Sequence, residues 1–173
     1  IYAESVSNPI TNVADVAALA KLAHKNKIPL IIDNTFPTPY LFNPIKYGAD
    51  IVVYSSTKGI SGHGNVLSGV VVDGGHFNWT KEKFPQFVEN ELTVKRPERK
   101  NYSFAAGFGK SAFIQRLRTK YLRLMGAVLN PFAAYLVLLG LETLSERVSK
   151  EVATALKIAQ YLEKNENVEK VFH

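Results

Sequence analysis

Hydrophobic and polar positions change their period several times along this chain. Near the start, Val13, Val16, Ala17 and Ala20 recur at i, i+3, i+4 and i+7, the spacing that gathers apolar side chains on one face of a helix. Asn12 or Thr11 is placed to cap that helix, and Asp15 in its first turn suits the positive end of the helix dipole. The helix is predicted to run to about Asn26 before Pro29 blocks it. Leu30-Ile31-Ile32, ending at Asp33, has no alternation and reads as a strand buried on both faces. A loop with Pro37, Pro39 and Pro44 follows, and Gly48 closes a short helix. Residues 49–55 repeat the buried-strand pattern, and Gly59, Gly62 and Gly64 punctuate the turn after it. Residues 66–72 form another strand-like run, closed by Gly74-Gly75. Strand, helix and strand in this order predict an α/β fold with helices on the faces of a sheet.

The pattern dissolves over residues 77–110, a stretch long for a connection within a compact domain. It carries Trp79, Phe84, Phe87, Tyr102 and Phe104, so a packed excursion is expected rather than a floppy linker. From Ala112 the chain reads as helical. Pro131 after Asn130 fits the first turn of a helix. Val148, Val152, Ala155, Ala159 and Leu162 form an apolar stripe on a later one, and residues 168–173 are expected to begin a strand.

Composition narrows the function classes. Of 173 residues, 46% are hydrophobic and 21% charged, the balance of a globular protein. Cysteine is absent, which removes disulfides and thiolate metal sites. The net charge of +6 suits anionic ligands without demanding one. The basic run at residues 95–100 includes a proline and an acid, a thin footprint for nucleic acid, and RNA-binding signatures are missing. No apolar stretch reaches the about 20 residues of a membrane span. The opening Ile1-Tyr2-Ala3-Glu4 lacks an initiator methionine, as expected of an internal stretch of a longer protein.

The segment from Asp50 to Gly64 carries the chemistry. A buried strand delivers two hydroxyls at i and i+2, Ser55 and Thr57, predicted to point to the same side. Lys58 and a glycine-rich turn follow. Hydroxyls with exposed backbone N–H groups suit a phosphate, and a lysine leaving a dry strand end can form a Schiff base with a carbonyl. The common cofactor that needs both is pyridoxal 5′-phosphate. Its ring nitrogen requires an acidic partner, and Asp33 stands 25 positions before Lys58 at the end of the preceding strand. Both residues then reach the sheet edge where open α/β sheets bind ligands. Asn8 follows the first strand and can offer an amide at the same edge. His63 reads as a turn histidine bonded to backbone, and Asp50 as a local cap or ion-pair partner.

Glu4-Ser5-Val6-Ser7-Asn8-Pro9, Asp33-Asn34-Thr35-Phe36 and Ser55-Ser56-Thr57-Lys58 with Gly62-His63-Gly64 resemble the cysteine/methionine-metabolism family of pyridoxal-phosphate enzymes. The resemblance implies the fold-type I, aspartate aminotransferase-like architecture, a mixed, mostly parallel sheet with flanking helices. Residues 1–145 would be part of the cofactor-binding large domain, with an insertion at about 77–110, and 146–173 the start of a small C-terminal α+β domain. It also implies that Lys58 binds the cofactor aldehyde, Asp33 the pyridine nitrogen, and Ser55 and Thr57 the phosphate, with Asn8 near the ring oxygen and substrate carboxylate.

Gly74-Gly75-His76-Phe77-Asn78-Trp79 with Lys83-Phe84-Pro85, and further on Asn130-Pro131-Phe132 and Gly140-Leu-Glu-Thr-Leu144, look like the sulfhydrylase branch of the family. That branch implies replacement of the acetoxy group of O-acetyl-L-homoserine by sulfide or a small thiol, in a cytoplasmic homo-oligomer built as a dimer of dimers. The same family includes cystathionine γ-synthases, cystathionine lyases and methionine γ-lyases, and a scaffold that kept the fold without catalysis is an alternative of another class. Gly59 stands where the family usually carries a bulky residue, and Asn65 where a small hydroxyl residue is common. The resemblance further implies that flanking chain and a neighbouring subunit complete the site.

Overall fold

The structure, a computed structural model, describes residues 1–80, 83–91 and 102–173. The basic run at residues 95–100 lies outside them. The chain forms two compact units, residues 1–72 with 130–173, and residues 73–129. Residues 146–173 fall in the same compact unit as the sheet.

In the first unit, β1 (Tyr2–Glu4), β2 (Ile31–Asp33), β3 (Ile51–Tyr54) and β4 (Val70–Asp73) lie side by side in that order. β1 pairs in parallel with β2, and β2 with β3; Glu4 lies opposite Asp33, and Asp33 opposite Val53. Parallel neighbours need a crossover between them. Helix α1 (Val16–Lys25) supplies it between β1 and β2, and α2 (Thr38–Leu41) with a 3₁₀ turn at Pro44–Tyr47 links β2 to β3. Leu30, Ile32 and Val52 are buried against Val16, Ala20 and Ala23 of α1. Gly48 ends the 3₁₀ turn at φ 95°. A Cβ there would come within 2.8 Å of the Ala20 Cβ, so both conformation and space call for glycine.

α1 begins later than its sequence pattern predicts. Asp15 is the N-cap, its carboxylate accepting the Ala18 N–H at 2.9 Å. Thr11 adopts a left-handed conformation and Val13 is 79% exposed, bridged to Val6 rather than helical. Asp50, 1% exposed, ties the layers together: its Oδ2 accepts the Leu30 N–H at 2.7 Å and meets His24 Nε2 at 2.9 Å. Helices α7 (Pro131–Leu141) and α8 (Leu144–Leu162) belong to the same unit. Asn130 caps α7 through the Ala133 N–H, with Pro131 in its first turn. Of the expected stripe on α8, Val148 and Ala159 are buried whereas Val152 is exposed. Residues 168–173 form no strand.

The second unit contains α3 (Pro85–Val88), α4 (Phe104–Phe108), α5 (Ala112–Arg116) and α6 (Arg123–Met125), the last two joined by a π-helical segment, Leu117–Leu122. The expected packed excursion is an aromatic cluster. Trp79, 5% exposed, stacks on Phe113 at 5.2 Å between ring centres and meets Phe77, Phe84 and Phe87. Such pairs add about 0.5–1.5 kcal/mol each beyond their burial. Arg116 and Lys120, one helical turn apart, both reach the Glu91 carboxylate. Among the described residues no helix is long and apolar enough to cross a membrane.

Candidate active site

Three parallel strands end at one edge of the sheet, and the chain leaving each contributes side chains to a single cavity of about 270 Å³. Glu4 ends β1, with Val6 and Asn8 following it; Asp33 ends β2, with Thr35 and Phe36 following it; Ser55 and Lys58 come from the chain after β3. The carboxyl edge of a parallel sheet is where α/β proteins bind ligands, because strand ends there present diverging loops and free backbone groups. Four of the residues expected from sequence, Asn8, Asp33, Ser55 and Lys58, are therefore brought together. Thr57 is not among the lining residues.

Thr57 departs from its expected placement because β3 stops at Tyr54. Beyond it the chain coils, with Lys58 N–H donating to the Ser55 carbonyl at 3.1 Å and Ser61 N–H to Ser56 at 3.0 Å. Strand alternation ends with the strand, so Ser55 and Thr57 do not share a face. The Thr57 hydroxyl donates to the Ser68 carbonyl at 3.1 Å and accepts the Ser68 N–H at 2.8 Å. This stitches the turn to the segment before β4. Ser55 leaves its hydroxyl to the cavity.

The edge is held by groups that the sequence pattern did not single out. Thr35 Oγ1 donates to Asp33 Oδ1 at 2.6 Å and accepts the Ser55 N–H at 2.8 Å, and the Thr35 N–H donates to the same carboxylate oxygen at 3.0 Å. One hydroxyl thus ties the acid at the end of β2 to the chain leaving β3. The readable signal was the Asp-x-Thr spacing, since an aspartate commonly accepts from the backbone two residues on. The Tyr2 hydroxyl donates to Asp33 Oδ2 at 3.2 Å. Burial first, then the negative charge of Asp33 and this hydrogen bond, and last the charge of Glu4, raise the Tyr2 phenol above its usual range. Asn34 is fully buried, accepting the Ser5 hydroxyl and donating to the carbonyls of Thr38 and Phe42. That network fixes how β1 and β2 end.

Acid, hydroxyl and amine now face one space. Asp33 is half-buried and held at both oxygens, yet a carboxylate has lone pairs enough for one more donor. Lys58 is exposed at the cavity, and among the described residues its ammonium has no hydrogen-bond or ion-pair partner. The His63 ring donates through Nδ1 to the Ser61 carbonyl, a backbone role. A larger groove of about 910 Å³ on the same unit is walled by apolar side chains such as Val13, Phe36, Leu41 and Phe172. Its one carboxylate, Asp15, is committed to capping α1, so the convergent polar chemistry lies in the smaller cavity.

Known proteins resemble this chain over nearly its whole length. Residues 1–173 match the family described as Cys/Met metabolism PLP-dependent enzyme. An O-acetyl-L-homoserine sulfhydrylase of Leptospira meyeri is 42% identical over 97% of this chain and 39% of its own length. A homocysteine/cysteine synthase of Kluyveromyces lactis is 48% identical over 94% of the chain and 36% of its own length. Among solved structures, an O-acetylhomoserine (thiol)-lyase of Campylobacter jejuni, bearing a pyridoxyl-lysine phosphate, superposes with a TM-score of 0.84 at 32% identity. It covers 96% of this chain and 40% of that one. A methionine γ-lyase of Micromonospora echinospora gives 0.69 at 28% identity over 95% of this chain and 35% of that one. The chain spans about two fifths of the length of the relatives it matches. With its mostly parallel α/β sheet of fold-type I, the chain belongs to the Cys/Met metabolism family of PLP-dependent enzymes.

Proposed function

We propose that the protein containing these residues exchanges the γ-acetoxy group of O-acetyl-L-homoserine for sulfide or a small thiol, using pyridoxal 5′-phosphate. The observation that carries the proposal is the single cavity where Lys58, Asp33, Ser55 and Asn8 converge at the carboxyl edge of the sheet. The relatives named above as acting on O-acetyl-L-homoserine support the choice of substrate. The reaction balances without an oxidant: the Cγ–O bond breaks, acetate leaves, and a Cγ–S bond forms to give L-homocysteine or a thioether.

The residues fit the cofactor. Lys58 Nζ, free at the cavity, would hold the aldehyde. Asp33 has a lone pair left to keep the ring nitrogen protonated, and its position is fixed by Thr35 and Tyr2. Ser55 offers its hydroxyl to the phosphate. Thr57, expected to join it, is turned to Ser68 instead. Asn8 offers an amide to the ring oxygen or the substrate carboxylate. When bound, pyridoxal phosphate supplies the electron sink that lets a proton leave the carbon beside the substrate nitrogen. Lys58 would be the group that takes up a proton at Cα and then one at Cβ, which lets the γ-substituent leave, and that returns a proton to each carbon once sulfur has added. The assembly is proposed to be a homotetramer, which light scattering on the full-length protein tests.

Borohydride reduction of the full-length, cofactor-loaded protein, followed by peptide mapping, tests the assignment. Label on the peptide containing Lys58 is expected; label confined to any other lysine refutes it. Turnover of O-acetyl-L-homoserine with sulfide should exceed turnover of methionine or cystathionine. The reverse order would overturn the substrate while leaving the cofactor site intact.

A further inference from the structure

We propose that Arg147 is a positioning residue for Lys58, an inference that rests on the reading of Lys58 as the cofactor-bearing lysine. The turn that carries Lys58 must satisfy a succession of backbone carbonyls within a few residues, and most find a local donor. Ser55 receives the Lys58 N–H, Ser56 the Ser61 N–H, and Lys58 the Gly62 N–H at 2.9 Å. Thr57 receives the Ser61 hydroxyl at 3.1 Å, and Ser61 the His63 ring. The carbonyls of Gly59 and Ile60, the first two after Lys58, are taken instead by a side chain far along the sequence. Arg147 Nη1 donates to Gly59 at 2.8 Å and Nη2 to Ile60 at 3.3 Å.

The same guanidinium is anchored on its other side. Nη2 donates to the Gly140 carbonyl at 2.7 Å, and Nε to the Thr143 hydroxyl at 3.1 Å. Arg147 sits in the first turn of α8, where the helix dipole disfavours a cation. It is tolerated because its head reaches the last turn of α7, where the negative end of the helix dipole attracts one. Only a planar fork can serve acceptors on two segments at once. The close fit is written into two glycines: a Cβ on Gly62 would overlap the guanidinium, and a Cβ on Gly140 would overlap the Ser61 carbonyl. Arg147 therefore fixes the exit of the turn, and with it the direction in which Lys58 leaves the backbone.

The test uses the full-length protein with Arg147→Ala, Arg147→Lys and the milder Thr143→Val, which removes the Nε acceptor and the long bond of the same hydroxyl to the Gly140 carbonyl at 3.4 Å. Hydrogen exchange of the cofactor-free protein is read on peptides covering residues 55–62. Arg147→Ala should speed exchange there by about tenfold or more, the equivalent of losing charge-assisted hydrogen bonds. Exchange elsewhere in the unit should change much less. After loading, the pH midpoint of the cofactor's absorption band should move in Arg147→Ala, and kcat should fall by about a hundredfold, the effect of an ångström-scale misplacement, with KM nearly unchanged. Arg147→Lys should recover part of each change, and Thr143→Val should shift each weakly in the same direction. If Arg147→Ala does not fold, the other two variants decide. Unchanged exchange in the turn, or an unmoved absorption midpoint with only a lower melting temperature, overturns the proposal. Failure of borohydride to label Lys58 in the wild type would overturn the cofactor reading instead, and the exchange result would still report whether the clamp exists.

Discussion

Replacing Thr35 by valine removes one hydroxyl and keeps the shape of the side chain, which makes it the cleanest probe of how the site is held. The Thr35 hydroxyl has two partners, Asp33 Oδ1 at 2.6 Å and the Ser55 N–H at 2.8 Å. A hydrogen bond to a charged group is worth about 1.5–3 kcal/mol, and leaving a buried N–H unpaired costs about 1–3 kcal/mol. Both partners are half-buried, so water recovers part of each loss. Asp33 also keeps the Thr35 N–H. A net cost of about 2 kcal/mol follows from halving the summed range. Because the strain falls on the acid and the hydroxyl segment proposed to bind the cofactor, most of it should appear as weaker binding, about thirtyfold at 1.4 kcal/mol per decade. Equilibrium titration of the full-length apoprotein with pyridoxal phosphate, followed by absorbance, measures this. Thr35→Ser, which retains the hydroxyl, should stay within a few-fold of wild type. If Thr35→Val also stays within twofold and unfolds at the same urea concentration, the hydroxyl does not couple Asp33 to Ser55, and the account of the site fails.

Asp50→Ala should destabilise the protein by about 1–3 kcal/mol, since it leaves the buried Leu30 N–H without its acceptor and takes a partner from His24. His24→Gln, altering only the more exposed partner, should cost less than about 1 kcal/mol. Equal urea midpoints for Asp50→Ala and wild type would contradict this. Tyr2 gives a prediction in pH. Its folded phenol is raised above the unfolded value, so the stability it contributes is fully present below about pH 10 and is lost as pH rises through the folded value. Melting temperatures of wild type and Tyr2→Phe should therefore converge above about pH 10. A gap that stays constant or widens refutes the contact with Asp33.

Much of this site was readable because its residues sit where the chain changes period. Asp33 ends an unalternating apolar run, and Lys58 follows another just before a cluster of glycines. A parallel sheet converts such boundaries into neighbours, since consecutive strands all end on one edge. The boundary itself was the weak point. Ser55 and Thr57 lie two apart, and alternation would face them alike, but burial of Ile51, Val52 and Tyr54 defines β3 and nothing apolar extends its period further. The turn's own hydrogen bonds then decide, and they turn Thr57 toward Ser68. The start of α1 moved as well: Thr11 takes a left-handed conformation and Val13 bridges to Val6, so the cap passes from Asn12 or Thr11 to the Asp15 carboxylate.

What local pattern could not reveal is pairing across long separations. Thr35 joins Ser55 over 20 positions, and Arg147 joins Gly59 over 88. Both bonds end on backbone groups, which carry no mark in the sequence. Glycine is the indirect trace of such contacts. Gly62 reads as turn punctuation and Gly140 as one position of a family-like segment, yet each is small because another segment passes through the volume a side chain would fill. The chemistry-bearing residues of this chain are thus legible at strand ends, whereas the residues that aim them are legible only through the space left for them.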